Sequence, residues 1–237
     1  MRPFEIIFFD AGDTLVHPRP SFSGLFVQVC GEFGLEIDDE RVHEVAGAIL
    51  AGLTDKQRAG WTFSTDPAGS RAFWADFYNS ALRALGANGD TTDMATALYD
   101  TFSDPANYQA FPDVQPALEA LKTEGYELGI ISNFEPWLES LLHQLGLHDY
   151  FAHITISGVV GVEKPHPRIF ELALAQAGVA ATDAAHVGDS VPSDVEGALE
   201  AGLTPILLDR HDRHLAATVL RVSDLREIPS LLDGAGG

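Results

Sequence analysis

The chain predicts a doubly wound α/β protein with a mostly parallel sheet, interrupted near its start by an inserted four-helix bundle. Three observations carry this. Ile6-Ile7-Phe8-Phe9 is an apolar run of strand length. From about residue 18 to 108, apolar residues recur at helical spacing with no strand-like run among them. From Phe111 onward, helical and strand-like segments alternate, which requires a largely parallel sheet covered on both faces. The first strand must join the later ones. The expected division is therefore a discontinuous α/β core over 1–17 and 109–237, with a helical unit over 18–108.

Within the insertion, Phe22, Leu25, Phe26, Val29 and Phe33 form one stripe, and Val42, Val45, Ala46, Ile49, Leu50 and Leu53 a second. Phe73, Trp74, Phe77, Tyr78, Ala81, Leu82 and Leu85 form a third, and Met94, Leu98 and Phe102 a shorter fourth. Together they suggest a small bundle. Trp74 and Phe77 read as bundle core. The segment from Thr62 to Gly69 reads as a loop, with Trp61 and Phe63 beside it as candidates for a ligand-facing surface. In the second half, a helix from about Asp113 to Glu124 stops at Gly125, and Tyr126 to Ser132 follows as a strand. A helix from Pro136 to Leu145 stops at Gly146, a residue suited to ending helices. Strands near His153–Ser157, Ala185–Gly188, Pro205–Asp209 and Val219–Val222 alternate with helices at Arg168–Ala177 and Ser193–Ala201. The end, Gly234-Ala235-Gly236-Gly237, reads as a glycine-rich tail.

With 237 residues, 46% of them hydrophobic, the chain can bury a full core. Thirty-five acidic against 14 basic residues give a net charge of −21, which argues against nucleic acid or anionic membrane as a partner. A small phosphorylated substrate stays open, because a metal and one lysine can supply positive charge locally. Cys30 is the sole cysteine, so no intrachain disulfide forms, and it reads as a small buried hydrophobe. With no signal peptide or membrane-spanning run visible, a cytoplasmic protein is expected.

Four segments hold the chemistry. Asp10-Ala11-Gly12-Asp13-Thr14 closes the first strand, placing a carboxylate that can act as a nucleophile at its carboxyl end. Ile130-Ile131-Ser132-Asn133 ends a second apolar run in a hydroxyl and an amide. Gly161-Val162-Glu163-Lys164-Pro165 sets one of only three lysines just ahead of a helix start. His186-Val187-Gly188-Asp189-Ser190, followed by Asp194, ends a third run in two carboxylates. All four fall at or near carboxyl ends of strands, where open α/β sheets bind ligands.

In this order, the segments resemble the motifs of the haloacid dehalogenase superfamily, specifically subfamily I with a helical cap inserted after the first motif. The resemblance covers essentially the whole chain. It implies a Rossmann-like core with a C1-type cap and hydrolysis of a phosphate ester through a covalent intermediate on Asp10. By the same resemblance, Mg²⁺ would be bound directly by Asp10 and Asp189, with the carbonyl of Gly12 as a further ligand. Asp194 would act directly or through water. Oxygen-only donors suit this ion. Ser132 and Asn133 would donate to the transferring phosphoryl group, and Lys164 would neutralise charge on nucleophile and phosphoryl oxygens. Asp13 and Thr14 are further candidate substrate contacts, and Glu163 is expected to orient Lys164.

One position departs from the family pattern. Phosphatases of the family carry a second aspartate two places after the nucleophile, to protonate the leaving alcohol and then activate water. Here that place is Gly12, and an aspartate stands one place on, at Asp13. General acid–base catalysis is worth about a hundredfold to ten-thousandfold, so substrates with good leaving groups are favoured. Three alternatives stay open. A metal-independent 2-haloacid dehalogenase also lacks the second aspartate. A phosphonoacetaldehyde hydrolase would need a cap lysine, and Lys56 is the only one. A non-catalytic protein that binds a phosphorylated ligand would keep the pocket without turnover. His211 and His214, flanking Asp212, read as a solvated loop rather than a zinc site. Oligomeric state is left open.

Overall fold

The computed structural model describes residues 2–52 and 62–235. Leu53, Lys56, Trp61 and the last two glycines lie outside the described residues. Six parallel strands form the main sheet: β1 (Ile6–Phe9), β4 (Glu127–Ser132), β5 (His153–Ile156), β6 (Ala184–Gly188), β7 (Thr204–Leu208) and β8 (Leu220–Val222). Their order is β5-β4-β1-β6-β7-β8, with β1 paired to both β4 and β6. The chain first builds outward on one side of β1, then crosses to the other. The carboxyl ends of β1, β4 and β6 therefore flank the crevice at which the strand order reverses.

Alternation along β1 explains why all four of its side chains are apolar. Ile7 and Phe9 enter one core cluster, Ile6 and Phe8 another, and none is exposed. Burying each such side chain contributes about 1.5–3 kcal/mol. On the Ile7/Phe9 side lie α5 (Val114–Thr123), α6 (Leu138–Gln144) and α10 (Ile228–Ala235). On the Ile6/Phe8 side lie α8 (Pro167–Ala177), through Ile169, Phe170, Ala173 and Leu174, and the short α9 (Gly197–Glu200), through Ala198. Another short helix, α7 (Ser157–Val160), follows β5 directly.

Between β1 and β4 come α1 (Phe22–Glu32), α2 (Asp39–Ala51), α3 (Pro67–Ala84) and α4 (Thr92–Phe102). They surround a separate apolar cluster containing Phe26, Cys30, Phe77, Tyr78, Leu82, Leu98 and Phe102, with Trp74 packed against it. Phe22, Tyr78 and Phe102 stack within it. Phe33 and Leu50, expected on the apolar stripes, are exposed; Phe33 falls just past the end of α1, where the helical period no longer sets its direction.

Four features differ from the sequence reading. The helix bearing Phe73 starts earlier than expected, at Pro67, because Asp66 accepts from the Gly69 amide as N-cap and proline suits the first turn. A two-stranded antiparallel ribbon, β2 (Val16–Pro18) with β3 (Tyr108–Ala110), ties the entry of the insertion to its exit. Strands of three residues carry too little pattern to announce themselves. The helix expected at Ser193–Ala201 begins as a π-helical turn at Val191–Glu196. The supposed tail is helical through Ala235, anchored by Ile228 and Leu232.

Candidate active site

Asp10 follows β1, and its amide donates to the Val187 carbonyl of β6 at 2.8 Å, which fixes the backbone at the crevice. The side chain is buried. Its Oδ1 accepts from Ser132 Oγ at 2.9 Å and from Lys164 Nζ at 2.7 Å, while Oδ2 accepts nothing among the described residues. Lys164 is 1% exposed and also donates to Asp194 Oδ1 at 2.6 Å. Asp194 Oδ1 accepts a further bond from His186 Nε2 at 2.9 Å, and its Oδ2 accepts from the Ser190 amide at 3.0 Å. Thr14 Oγ1 donates to Asp189 Oδ1 at 3.3 Å. Carboxylate oxygens of Asp10, Asp189 and Asp194 lie within 4.8 Å of one another.

The electrostatics follow from this crowding. Burial lifts the Asp10 carboxyl above its ordinary pKa, outweighing Lys164. Burial, and then the Asp194 and Asp10 charges, push Asp189 well up. Burial alone would raise Asp194 too, but Lys164 and His186 hold it below the usual carboxylate range. Burial alone would lower the Lys164 ammonium, but Asp10 and Asp194 beside it outweigh burial and raise it. Burial keeps His186 neutral in spite of Asp194. A neutral ring donating from Nε2 leaves Nδ1 bare, and Nδ1 has no partner among the described residues.

The site thus carries three carboxylates against one buried lysine, and its donors are all oxygens. That composition fits a hard divalent cation. Asp189 would hold it directly, since it keeps one carboxylate oxygen free of hydrogen bonds among the described residues, and Asp10 would hold it through the Oδ1 side of its carboxylate, leaving Oδ2 unengaged. The Gly12 carbonyl accepts no hydrogen bond among the described residues and is available as well. Both oxygens of Asp194 are occupied, so it would act through water.

Other predicted residues take different places. Thr14 is buried, with its hydroxyl on Asp189 and its carbonyl accepting from Arg210 Nη2 at 2.9 Å, and so braces the turn. Asn133 turns its amide onto the Lys164 backbone, donating to Lys164 O at 2.8 Å and accepting from Lys164 N at 2.7 Å. That pair of bonds fixes the Lys164 backbone. Glu163 does not touch the Lys164 side chain. Its Oε2 accepts from the Phe63 and Ser64 amides at 3.1 and 2.9 Å and from Ser64 Oγ at 2.7 Å, tying the insertion to the core. Asp13 sits at the mouth with φ of 55°. Solvent reaches it, yet protein crowds it on most sides; that desolvation and the Asp10 charge raise its carboxyl. Sequence reasoning missed His186, though it opens a quoted motif, and Arg210, which nothing in its neighbourhood marks. Arg210 joins Asp113, at 2.8 Å, to the Thr14 carbonyl.

The comparisons with known proteins agree with this architecture. The family model for haloacid dehalogenase-like hydrolases matches residues 4–202. The mouse haloacid dehalogenase-like hydrolase domain-containing protein 3 is 36% identical over 207 residues, covering 86% of this chain and 81% of that protein. The phosphoserine phosphatase of Thermus thermophilus is 29% identical over 245 residues, covering 94% and 97%. Among solved structures, a 2-haloacid dehalogenase from Pseudomonas syringae pv. Tomato superposes with a TM-score of 0.62 at 27% identity, covering 98% of this chain and 99% of that one. The chain belongs to the haloacid dehalogenase-like hydrolases.

Proposed function

We propose that this hydrolase is a Mg²⁺-dependent phosphatase of a small phosphorylated metabolite, working through an aspartyl phosphate on Asp10. The observation that supports it most is the buried carboxylate cluster around Lys164, with one Asp10 oxygen left free to attack. The similarity to a full-length phosphoserine phosphatase supports the same class of reaction.

The bound cation would offset phosphoryl charge and so let a dianion approach the carboxylates. Asp10 Oδ2 attacks phosphorus, and the bond to the leaving oxygen breaks with its electron pair. Lys164 and Ser132, already on Asp10 Oδ1, hold the carboxylate in orientation, and Lys164 spreads the developing negative charge. Water then attacks the aspartyl phosphate, releasing inorganic phosphate and restoring the carboxylate. Gly12 can supply no proton to the leaving group. Asp13, one place on with its carboxyl raised, is the side chain we assign to that task; displaced from the usual place it gives only partial help, so aryl and acyl phosphates are the preferred substrates. The helical insertion acts as a cap that shields the reaction and sets substrate choice.

The missing acid at Gly12 and the likeness to a 2-haloacid dehalogenase favour a second reading, metal-independent release of halide. One experiment separates them. Phosphate release from p-nitrophenyl phosphate and acetyl phosphate is measured with Mg²⁺ and with chelator, for wild type and Asp10→Asn. Mg²⁺-dependent release that disappears in the variant is expected. Silence on both compounds, with halide released from 2-chloropropionate, would replace the phosphatase reading.

A further inference from the structure

We propose that the outer end of α6 and the turn after it form a second metal site, for a borderline divalent transition ion such as Zn²⁺, made by Glu139, His143 and His148. Glu139 and His143 are four residues apart on α6, so they project from one side of the helix. The chain then turns, and His148 opens the 3-10 segment His148–Tyr150. Its ring stacks on His143 with centroids 3.7 Å apart and planes at 17°, and its Nε2 stands 3.8 Å from Glu139 Oε1. One ligand atom from each of the three residues lies within 4.8 Å of the other two.

That limit is wider than a finished site requires, and the stacked rings hold their in-plane lone pairs nearly parallel, so His143 must swing out of the stack to share an ion with His148. Donors about 2.0–2.1 Å from Zn²⁺ in a tetrahedron stand about 3.4 Å apart. Glu139 and His143 are exposed, so their side chains can close the remaining distance without moving the backbone. A second observation marks this as more than a chance cluster. His148 Nδ1 lies 3.3 Å from Asp149 Oδ1, a carboxylate–histidine pairing that would hold the ring proton on Nδ1 and leave Nε2 as a ligand. The nearby cation, Lys122, donates to the Asp149 carbonyl at 3.0 Å and not to the cluster carboxylate. Two imidazoles with one carboxylate select Zn²⁺, Co²⁺, Ni²⁺ or Cu²⁺ over Mg²⁺, so this site and the carboxylate pocket by Asp10 would hold different ions. An ion here would clamp α6 to the turn that follows it, and α6 is the helix that leaves the Ser132–Asn133 turn.

The test uses the full-length, tag-free chain in excess Mg²⁺, which keeps the carboxylate pocket filled. Zn²⁺ is titrated by calorimetry and Co²⁺ by visible absorption. The expected result is one site per chain, a cobalt spectrum of nitrogen–oxygen coordination, and a Tm that rises with Zn²⁺. His143→Ala and His148→Ala should each weaken binding at least about tenfold, and Asp149→Asn about tenfold through the His148 ring. His211→Ala should change nothing. All are exposed or half-exposed positions, so the variants should fold. Binding that is absent, that survives both histidine variants, or that vanishes in Asp10→Asn instead would overturn the proposal.

Discussion

A Cβ built on Gly12 would touch only the Phe134 ring, at 3.9 Å, an ordinary contact. The backbone there therefore accepts the first carbon of the aspartate that family phosphatases carry at this place. Gly12→Asp should speed hydrolysis of alkyl phosphates more than of aryl phosphates, by about tenfold or more in kcat, if leaving-group protonation limits the rate. Equal changes on both substrates would show that Asp13 already does this work in full. Gly188 is the opposite case: a Cβ there would run into the Asp194 carboxyl, so only glycine lets β6 approach that residue. A residue away from the pocket gives the clearest pH dependence. Asp209 is buried, which alone would raise its pKa, but the His214 and Arg213 amides and Arg221 outweigh burial and lower it. The folded state thus binds this proton more weakly than the unfolded chain. Its stabilisation is complete above the unfolded carboxylate value of about 3.9 and is lost as pH falls through the lower folded value. Asp209→Asn should lower Tm at neutral pH, with the gap to wild type closing below about pH 4; a gap independent of pH would contradict this.

Among the elements, one buried knot of hydrogen bonds joins insertion and core. Ser64 Oγ lies 2.6 Å from Ser157 Oγ, both near Glu163, and Phe134 N donates to Ser157 Oγ at 3.0 Å. The path from the Ser64 loop of the insertion to Lys164 is thus a few bonds long. Ser64→Ala removes a buried hydrogen bond to a carboxylate and should cost about 1.5–3 kcal/mol, measured by urea unfolding. It should also raise KM more than it lowers kcat, since the chemistry below it is untouched. Unchanged stability would mean that Glu163 finds another donor. Sequence pattern located the long elements well, because α1, α3, α5 and α8 carry full apolar stripes and β1, β4 and β6 continuous apolar runs. It missed β2, β3 and α7, each only three or four residues, where pattern is too short to outweigh context.

On the largest scale, the charge of −21 bears on encounter. No described helix is long and apolar enough to cross a membrane. A phosphorylated dianion approaching an acidic surface is repelled over about a Debye length, roughly 10 Å at 0.1 M salt. At saturating Mg²⁺, kcat/KM should rise severalfold as NaCl is raised from low to physiological strength. A falling profile would show that the local field of Lys164 and the cation governs capture instead.

Period and spacing were enough for the α/β class, the helical insertion and the four segments that meet at the crevice, because periodicity reports burial and strand ends collect ligands. They could not assign partners. Ser132 reaches Asp10, but Asn133 and Glu163, its equals by motif, turn to the Lys164 backbone and to Ser64. His186, Arg210 and the Glu139–His143–His148 cluster acquire meaning only when distant or differently oriented segments are folded together. A hydrogen bond depends on direction and distance to within an ångström, and residue order along a chain carries neither.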